Sequence, residues 1–188
     1  MESRPANDVH VALLRGINLG GRNRLPMEQL RGLFEEAGCE DVRSYIQSGN
    51  VVFHAPPDLA RRVPGRIKDA VAEQYGLDVP VILRSGDELA SAAAENPFLK
   101  QGADERGLHV MFLSEEPEPE HVEALDPNRS PGDAFVVRGR EIYLHCPNGV
   151  ARSKLTNDYF DRRLGTTSTS RNLRTIGKLM EMLGNPSD

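Results

Sequence analysis

The apolar residues of positions 9–84 change their period in a fixed order, and that order restricts the fold more than any single residue does. Val9 to Ile17 is a nearly continuous apolar run, the pattern of a buried strand, broken by Gly20-Gly21. Met27, Leu30, Leu33, Phe34 and Ala37 then recur at spacings of three and four, which predicts a helix from near Pro26 to Gly38. Val42 to Gln47 and Val51 to Ala55 read as strands around Ser48-Gly49-Asn50, a tight-turn composition. Asp58 can cap a second helix whose start Pro64-Gly65 kinks or delays. Ile67, Ala70, Val71 and Tyr75 keep helical spacing until Gly76, and Val79 to Arg84 closes the series as a strand.

This β-α-β-β-α-β order is the connectivity of a ferredoxin-like plait. The second half repeats it in outline: a helix at Asp87 to Glu95 stopped by Asn96-Pro97, a strand at Leu108 to Ser114, a short acidic helix at Glu118 to Leu125, and a hairpin of Ala134 to Val137 with Glu141 to Cys146. Two terminal helices are expected, Ser153 to Leu164 and Arg171 to Leu183. The latter carries an apolar stripe of Leu173, Ile176, Leu179, Met180 and Leu183. The expected fold is therefore α+β: two tandem ferredoxin-like (α-β plait) lobes with antiparallel sheets and C-terminal helices. The first lobe is expected over 1–85 and the second, with the two terminal helices, over 86–188; the loop Gly102 to Gly107 is the alternative boundary.

A chain of 188 residues can bury roughly 70% of its unfolded surface, so it folds without staples. Its 38% hydrophobic and 27% charged residues exclude a wholly disordered protein. The net charge of -5 gives no general attraction to nucleic acid or an anionic membrane. Local balance differs: 15–24 holds Arg15, Arg22 and Arg24 with no acid, 150–178 holds seven basic against two acidic residues, and 100–126 holds two basic against eight acidic. Solvated charged faces account for such runs as readily as binding does. Cys39 and Cys146 have no CxxC spacing. The start lacks a signal-peptide pattern and no apolar run approaches the roughly 18 residues of a membrane span, so a cytoplasmic protein without membrane contact is expected.

Three stretches place polar and basic residues beside the strands. Arg15 to Arg24 joins a strand to a helix, where glycine turns aim backbone N–H groups at phosphate. It is no standard nucleotide loop: a dinucleotide fingerprint needs Gly where Asn18 stands, and a P-loop needs Gly-Lys-Ser/Thr where Gly21-Arg22-Asn23 stands. A sharp structural turn is the competing explanation. Gln47, Ser48 and Asn50 sit at the hairpin tip, where turn side chains also bond their own backbone. Arg152, Ser153 and Lys154 are expected to open a helix after Asn148-Gly149, as an anion site or as a serine cap. Ser153 and Lys154 are adjacent, without the Ser-x-x-Lys spacing of an activated nucleophile. Thr166 to Asn172 sets several hydroxyls ahead of Arg171, a bidentate donor suited to phosphate. His10, His54, His109, His121 and His145 form no metal-ligand spacing. His145 and Cys146, as strand neighbours, point to opposite faces.

Read together, Ala12-Leu-Leu-Arg-Gly-Ile-Asn-Leu-Gly-Gly21, Tyr45-Ile-Gln-Ser-Gly-Asn-Val-Val-Phe53 and Arg152-Ser-Lys-Leu-Thr156 closely resemble the bacterial family known as domain of unknown function 1697. Asp78-Val-Pro-Val81, Asn96-Pro-Phe98, Glu141-Ile-Tyr-Leu-His145 and Thr169-Ser-Arg-Asn172 extend the resemblance in order. It implies two ferredoxin-like lobes and no established reaction. The chain departs from the family pattern in having Leu173 where an aromatic is common, which weakens a base-stacking argument, and Ala151 where a glycine is frequent.

The resulting expectation is a pocket between lobes for a small anionic or phosphorylated ligand, a nucleotide among the options. Its ligand-binding residues would be Arg15, Asn18, Gly20, Gly21, Gln47, Ser48, Asn50, Arg152, Ser153, Lys154, Arg171 and Asn172, with Arg15, Arg152 and Arg171 converging on the anion. No catalytic residue, metal or cofactor is implied. The alternatives are a nucleic-acid-binding module, which lacks aromatic RNA-binding signatures, and a protein-interaction scaffold without a ligand.

Overall fold

The computed structural model describes residues 9–184. They form two compact units, one running to Ala90 and resuming at Lys178, the other Ser91–Gly177. The first unit is built on a four-stranded antiparallel sheet in which β1 (Val9–Leu14) is flanked by β3 (Asn50–His54) and β4 (Val81–Ser85), with β2 (Glu40–Tyr45) outside β3. Crossovers run through α1 (Met27–Glu36) and, after a single-turn α2 (Pro57–Ala60), through α3 (Val63–Tyr75). Ala12, Leu14, Val51 and Phe53 share the sheet face that meets Leu30, Phe34, Ile67 and Val71 of the helices. Val11, Leu13 and Val52, on the opposite face, are fully buried too. Burial of both faces is why β1 and β3 read as continuous apolar runs rather than alternating ones.

Local signals set the helix limits. Pro26 and Pro56 occupy the cap positions of α1 and α2, so Asp58 lies within the first turn of α2 rather than capping it. Pro64 falls in the first turn of α3, which starts at Val63, and its missing N–H costs nothing there. Gly76 ends α3 in the left-handed conformation.

The second unit repeats the topology: β5 (Leu108–Leu113), β6 (Ala134–Arg138), β7 (Glu141–His145) and β8 (Ser168–Asn172) stand in the antiparallel order β6-β7-β5-β8. Its crossovers carry α6 (Pro119–Glu123) and α7 (Asn157–Leu164), and Met111, Leu113, Ile142 and Leu144 pack with Phe160 and Leu164. The fold is α+β, with two ferredoxin-like lobes. α4 (Gly86–Ala94) begins in the first unit and ends in the second, α5 (Pro97–Lys100) belongs to the second, and α8 (Leu173–Gly184) begins in the second and ends in the first. Among the described residues no helix is long and apolar enough to cross a membrane.

Two expectations fail here. Arg171 does not open the last helix; Ser168–Asn172 is an edge strand paired with β5 from Leu113↔Ser168 to His109↔Asn172. The polar run Ser-Thr-Ser-Arg-Asn carries no apolar alternation, so only its pairing reveals it as a strand. Nor does the preceding helix start at Ser153. A 3-10 turn at Val150–Arg152 is followed by extended backbone, and α7 begins at Asn157 because the Thr156 hydroxyl accepts from the Tyr159 amide.

Gly49 is the tightest point of the first hairpin. Its φ is 76°, and a β-carbon there would lie 2.7 Å from Leu14 Cβ and 3.0 Å from Ile17 Cδ1. Gly49→Ala combines left-handed strain with overpacking and is expected to cost about 2–4 kcal/mol. Chemical denaturation checks this against Gly20→Ala, where nothing lies within 4 Å and only the strain of its 55° φ applies.

Candidate functional site

The loop from Arg15 to Leu25 leaves β1 and folds back on itself before α1. Asn18 N–H donates to the Asn23 carbonyl at 3.0 Å and Arg22 N–H to the Leu19 carbonyl at 2.9 Å, closing a turn at Gly20-Gly21. Both glycines are left-handed, at φ 55° and 81°, the geometry of a primed turn. Asn18 and Asn23 are left-handed as well, at 54° and 49°, a conformation that asparagine tolerates better than most residues. Asn23 Nδ2 donates to the Gly16 carbonyl at 2.8 Å.

Asn18 ties this loop to the β2–β3 turn. Its Nδ2 donates to the Leu25 carbonyl at 2.8 Å and to the Gln47 carbonyl at 2.9 Å, while its Oδ1 accepts from Leu25 N–H at 2.9 Å. The loop that holds Gly20-Gly21 and the turn that holds Ser48-Gly49-Asn50, both assigned residues of the expected site, are thus joined. Leu14 N–H donates to the Gly49 carbonyl at 2.8 Å and Arg15 N–H to the Pro80 carbonyl at 3.0 Å, which anchors the loop's root to both neighbouring strands. Within the turn, buried Asn50 donates through Nδ2 to the Tyr45 carbonyl at 3.1 Å and to Ser48 Oγ at 2.9 Å. Asn18, Ser48 and Asn50 therefore hold backbone in shape. Gln47 is exposed and contributes its carbonyl to the clasp.

What the loop presents outward is basic. Arg22 and Arg24 are exposed, and neither guanidinium has a hydrogen bond or ion pair with another described residue; Arg15 is half-buried at the root. The first acidic residue beyond Arg15 is Glu28, in the first turn of α1. Arg22 and Arg24 entered the sequence reading as charge alone; their setting on a pinned loop was not legible. Two exposed apolar side chains, Leu19 and Ile46, also lie beside the clasp and were missed altogether.

In the second unit the candidates separate. Arg152 and Lys154 are exposed, and Lys154 N–H donates to Ser130 Oγ at 3.1 Å. Ser153 Oγ accepts from Leu155 N–H at 3.1 Å and lies 3.8 Å from Cys146 Sγ. Burial pushes the Cys146 thiol up, against a smaller opposing effect of the Ser153 hydroxyl, which suits an unreactive thiol. His145, on the neighbouring position, packs its ring 5.5 Å from Phe98, so histidine and thiol have different surroundings. Arg171 is buried in β8 and donates from Nη1 to Thr169 Oγ1 and to the Ser170 carbonyl, each at 2.8 Å; desolvation pulls its guanidinium down to about 10. Asn172 Oδ1 accepts from Thr175 N–H at 2.8 Å and so caps α8. Among the described residues no group of three or more His, Cys, Asp or Glu side chains is placed to hold a metal ion.

The family model described as "Protein of unknown function (DUF1697)" matches residues 8–143 of this sequence, most of its length, and the chain belongs to that family. The matched span includes Arg15 to Asn50 and ends before Arg152. No curated protein matches the chain. Among solved structures, the conserved bacterial protein SP0830 from Streptococcus pneumoniae is similar with a TM-score of 0.74 at 23% identity, over 95% of this chain and 99% of that one. The likeness is one of fold, and it extends across both lobes.

Two substitutions separate the structural roles above. Asn18→Ala removes all three side-chain bonds of the clasp and should cost about 2 kcal/mol or more, with lost amide-exchange protection at Leu25 as its local signature. Arg171→Ala deletes buried donors and should destabilise by about 2–3 kcal/mol, whereas Arg152→Ala, at an exposed position, should stay within about 0.5 kcal/mol in the same denaturant titration.

Proposed function

We propose that this member of the DUF1697 family binds a small phosphorylated or otherwise anionic ligand, and that the Arg15–Leu25 loop with the Ile46–Gly49 turn of the first unit carries that site. One observation carries the reading: two exposed guanidinium groups, Arg22 and Arg24, ride on a loop pinned by the side chains of Asn18 and Asn23. Surface arginines on mobile loops lose entropy when they grip a ligand. A backbone fixed in advance lowers that cost and sets the direction from which an anion approaches. Arginine's planar fork suits phosphate oxygens, and no acidic side chain between Arg15 and Met27 competes for it.

An extended nucleic-acid interface is the competing reading. The net charge of -5 and an aromatic content of 5% speak against it, as does the lack of any aromatic residue between Arg15 and Leu25. The two readings differ in salt dependence, since a strand of phosphates releases several counterions on binding and one small anion releases few.

Calorimetric titration of the full chain with inorganic phosphate, ribose 5-phosphate, nucleoside monophosphates and a short oligoribonucleotide tests the proposal. Arg22→Ala and Arg24→Ala should each weaken binding of the responding phosphate compound by about 1.5–3 kcal/mol, roughly ten- to a hundredfold, with unfolding unchanged. Arg15→Ala, measured alongside, reports whether the root of the loop takes part. Unaltered affinity in both loop variants, or binding of the oligoribonucleotide alone with a steep salt slope, overturns the reading.

A further inference from the structure

Leu19 is 61% exposed and Ile46 52% exposed. They are the chain neighbours of Asn18 and Gln47, whose side-chain-to-carbonyl bond of 2.9 Å joins loop and turn, so both residues flank one pinned point. A lone exposed leucine carries little information. Ile46 carries more, because its φ is 49°, a left-handed conformation in which a β-branched residue is strained. The other described non-glycine residues with positive φ are Asn18, Asn23 and Asp41, types that accept it with less penalty. A turn whose only task was to join β2 to β3 would be more stable with glycine or asparagine at position 46. The chain instead retains a strained backbone and an exposed apolar side chain in the same residue, next to the loop that bears Arg22 and Arg24. Backbone strain of this kind clusters at ligand clamps, active sites and switch regions.

Resting on the anion-binding reading above, we infer that the ligand is a nucleoside phosphate, its phosphate against Arg22 and Arg24 and the flat face of its base against Leu19 and Ile46. Two branched aliphatic side chains together would cover one face of a base, and an arginine of the same loop would add a planar stacking surface. A long acyl chain would need a continuous apolar groove. The remaining large exposed apolar residues among those described, Leu99 and Val150, belong to the second unit and do not extend this patch within the first.

The test compares adenosine 5′-monophosphate with ribose 5-phosphate and inorganic phosphate on the full-length chain, its Ile46→Gly variant and its Leu19→Ser variant. Wild type should bind the nucleotide at least about tenfold more tightly than the sugar phosphate. Ile46→Gly should leave the midpoint of unfolding unchanged or raise it, because strain is relieved, while nucleotide affinity falls about fivefold or more and affinity for ribose 5-phosphate stays the same. Leu19→Ser, at a residue without positive φ, should show the same selective loss, and it decides the matter if Ile46→Gly disturbs the turn. Equal affinity for nucleotide and sugar phosphate in wild type, or full nucleotide affinity in both variants, overturns the inference and leaves the anion site standing. Absence of binding by all three compounds overturns both.

Discussion

The first lobe depends on the absence of one β-carbon. At Gly49 the hairpin between β2 and β3 passes so close to Leu14 and Ile17 that a methyl group would sit 2.7 Å from Leu14 Cβ. That approach lets Leu14 N–H reach the Gly49 carbonyl at 2.8 Å at the very end of the central strand. It also brings the Gln47 carbonyl within 2.9 Å of Asn18 Nδ2. Sheet register, turn and loop are therefore linked: the strand pairing of the core positions the turn, and the turn positions the loop that carries Arg22 and Arg24.

The two lobes share a topology, and each places polar groups both outside and inside. In the first, asparagine side chains pin the loop that carries exposed Arg22 and Arg24, while Arg84 of β4 is buried. In the second, Arg152 and Lys154 are exposed while other polar groups lie inside. Arg171 lies buried in β8 beside Thr169, and the Ser168 hydroxyl is held by Asn157 at 2.8 Å and Asp161 at 2.5 Å. Those groups shape the edge strand and the start of α8, and burying a guanidinium demands partners that fix its position. The free thiols lie inside as well: burial pushes Cys39 up to about 11 and raises Cys146, so both sulfurs are poor nucleophiles near neutral pH.

Much of the plait was legible because its signals are local. The spacing of Met27, Leu30, Leu33 and Phe34, the apolar runs at Val9 and Val51, and the terminating Gly38 and Gly76 each report a conformation within a few residues of themselves. The Gly20-Gly21 and Gly49 turns were legible for the same reason, since few other residues accept their dihedrals. The polar site residues could be named from type, but not sorted: Asn18, Asn50 and Asn172 proved to bond backbone groups, and only hydrogen-bond partners distinguish that role from an open donor.

By itself the sequence determined the alternation of strand and helix, the α+β class and the concentration of basic charge between Arg15 and Arg24, all properties of residue type and short spacing. Tertiary structure alone decided that Ser168–Asn172 is a strand, because a polar segment becomes one only when β5 supplies its hydrogen-bonding partners. It likewise decided that Arg171 is buried and that Ile46 is strained and exposed. Those outcomes are set by groups distant in sequence, whose positions no local pattern encodes until the sheets have closed.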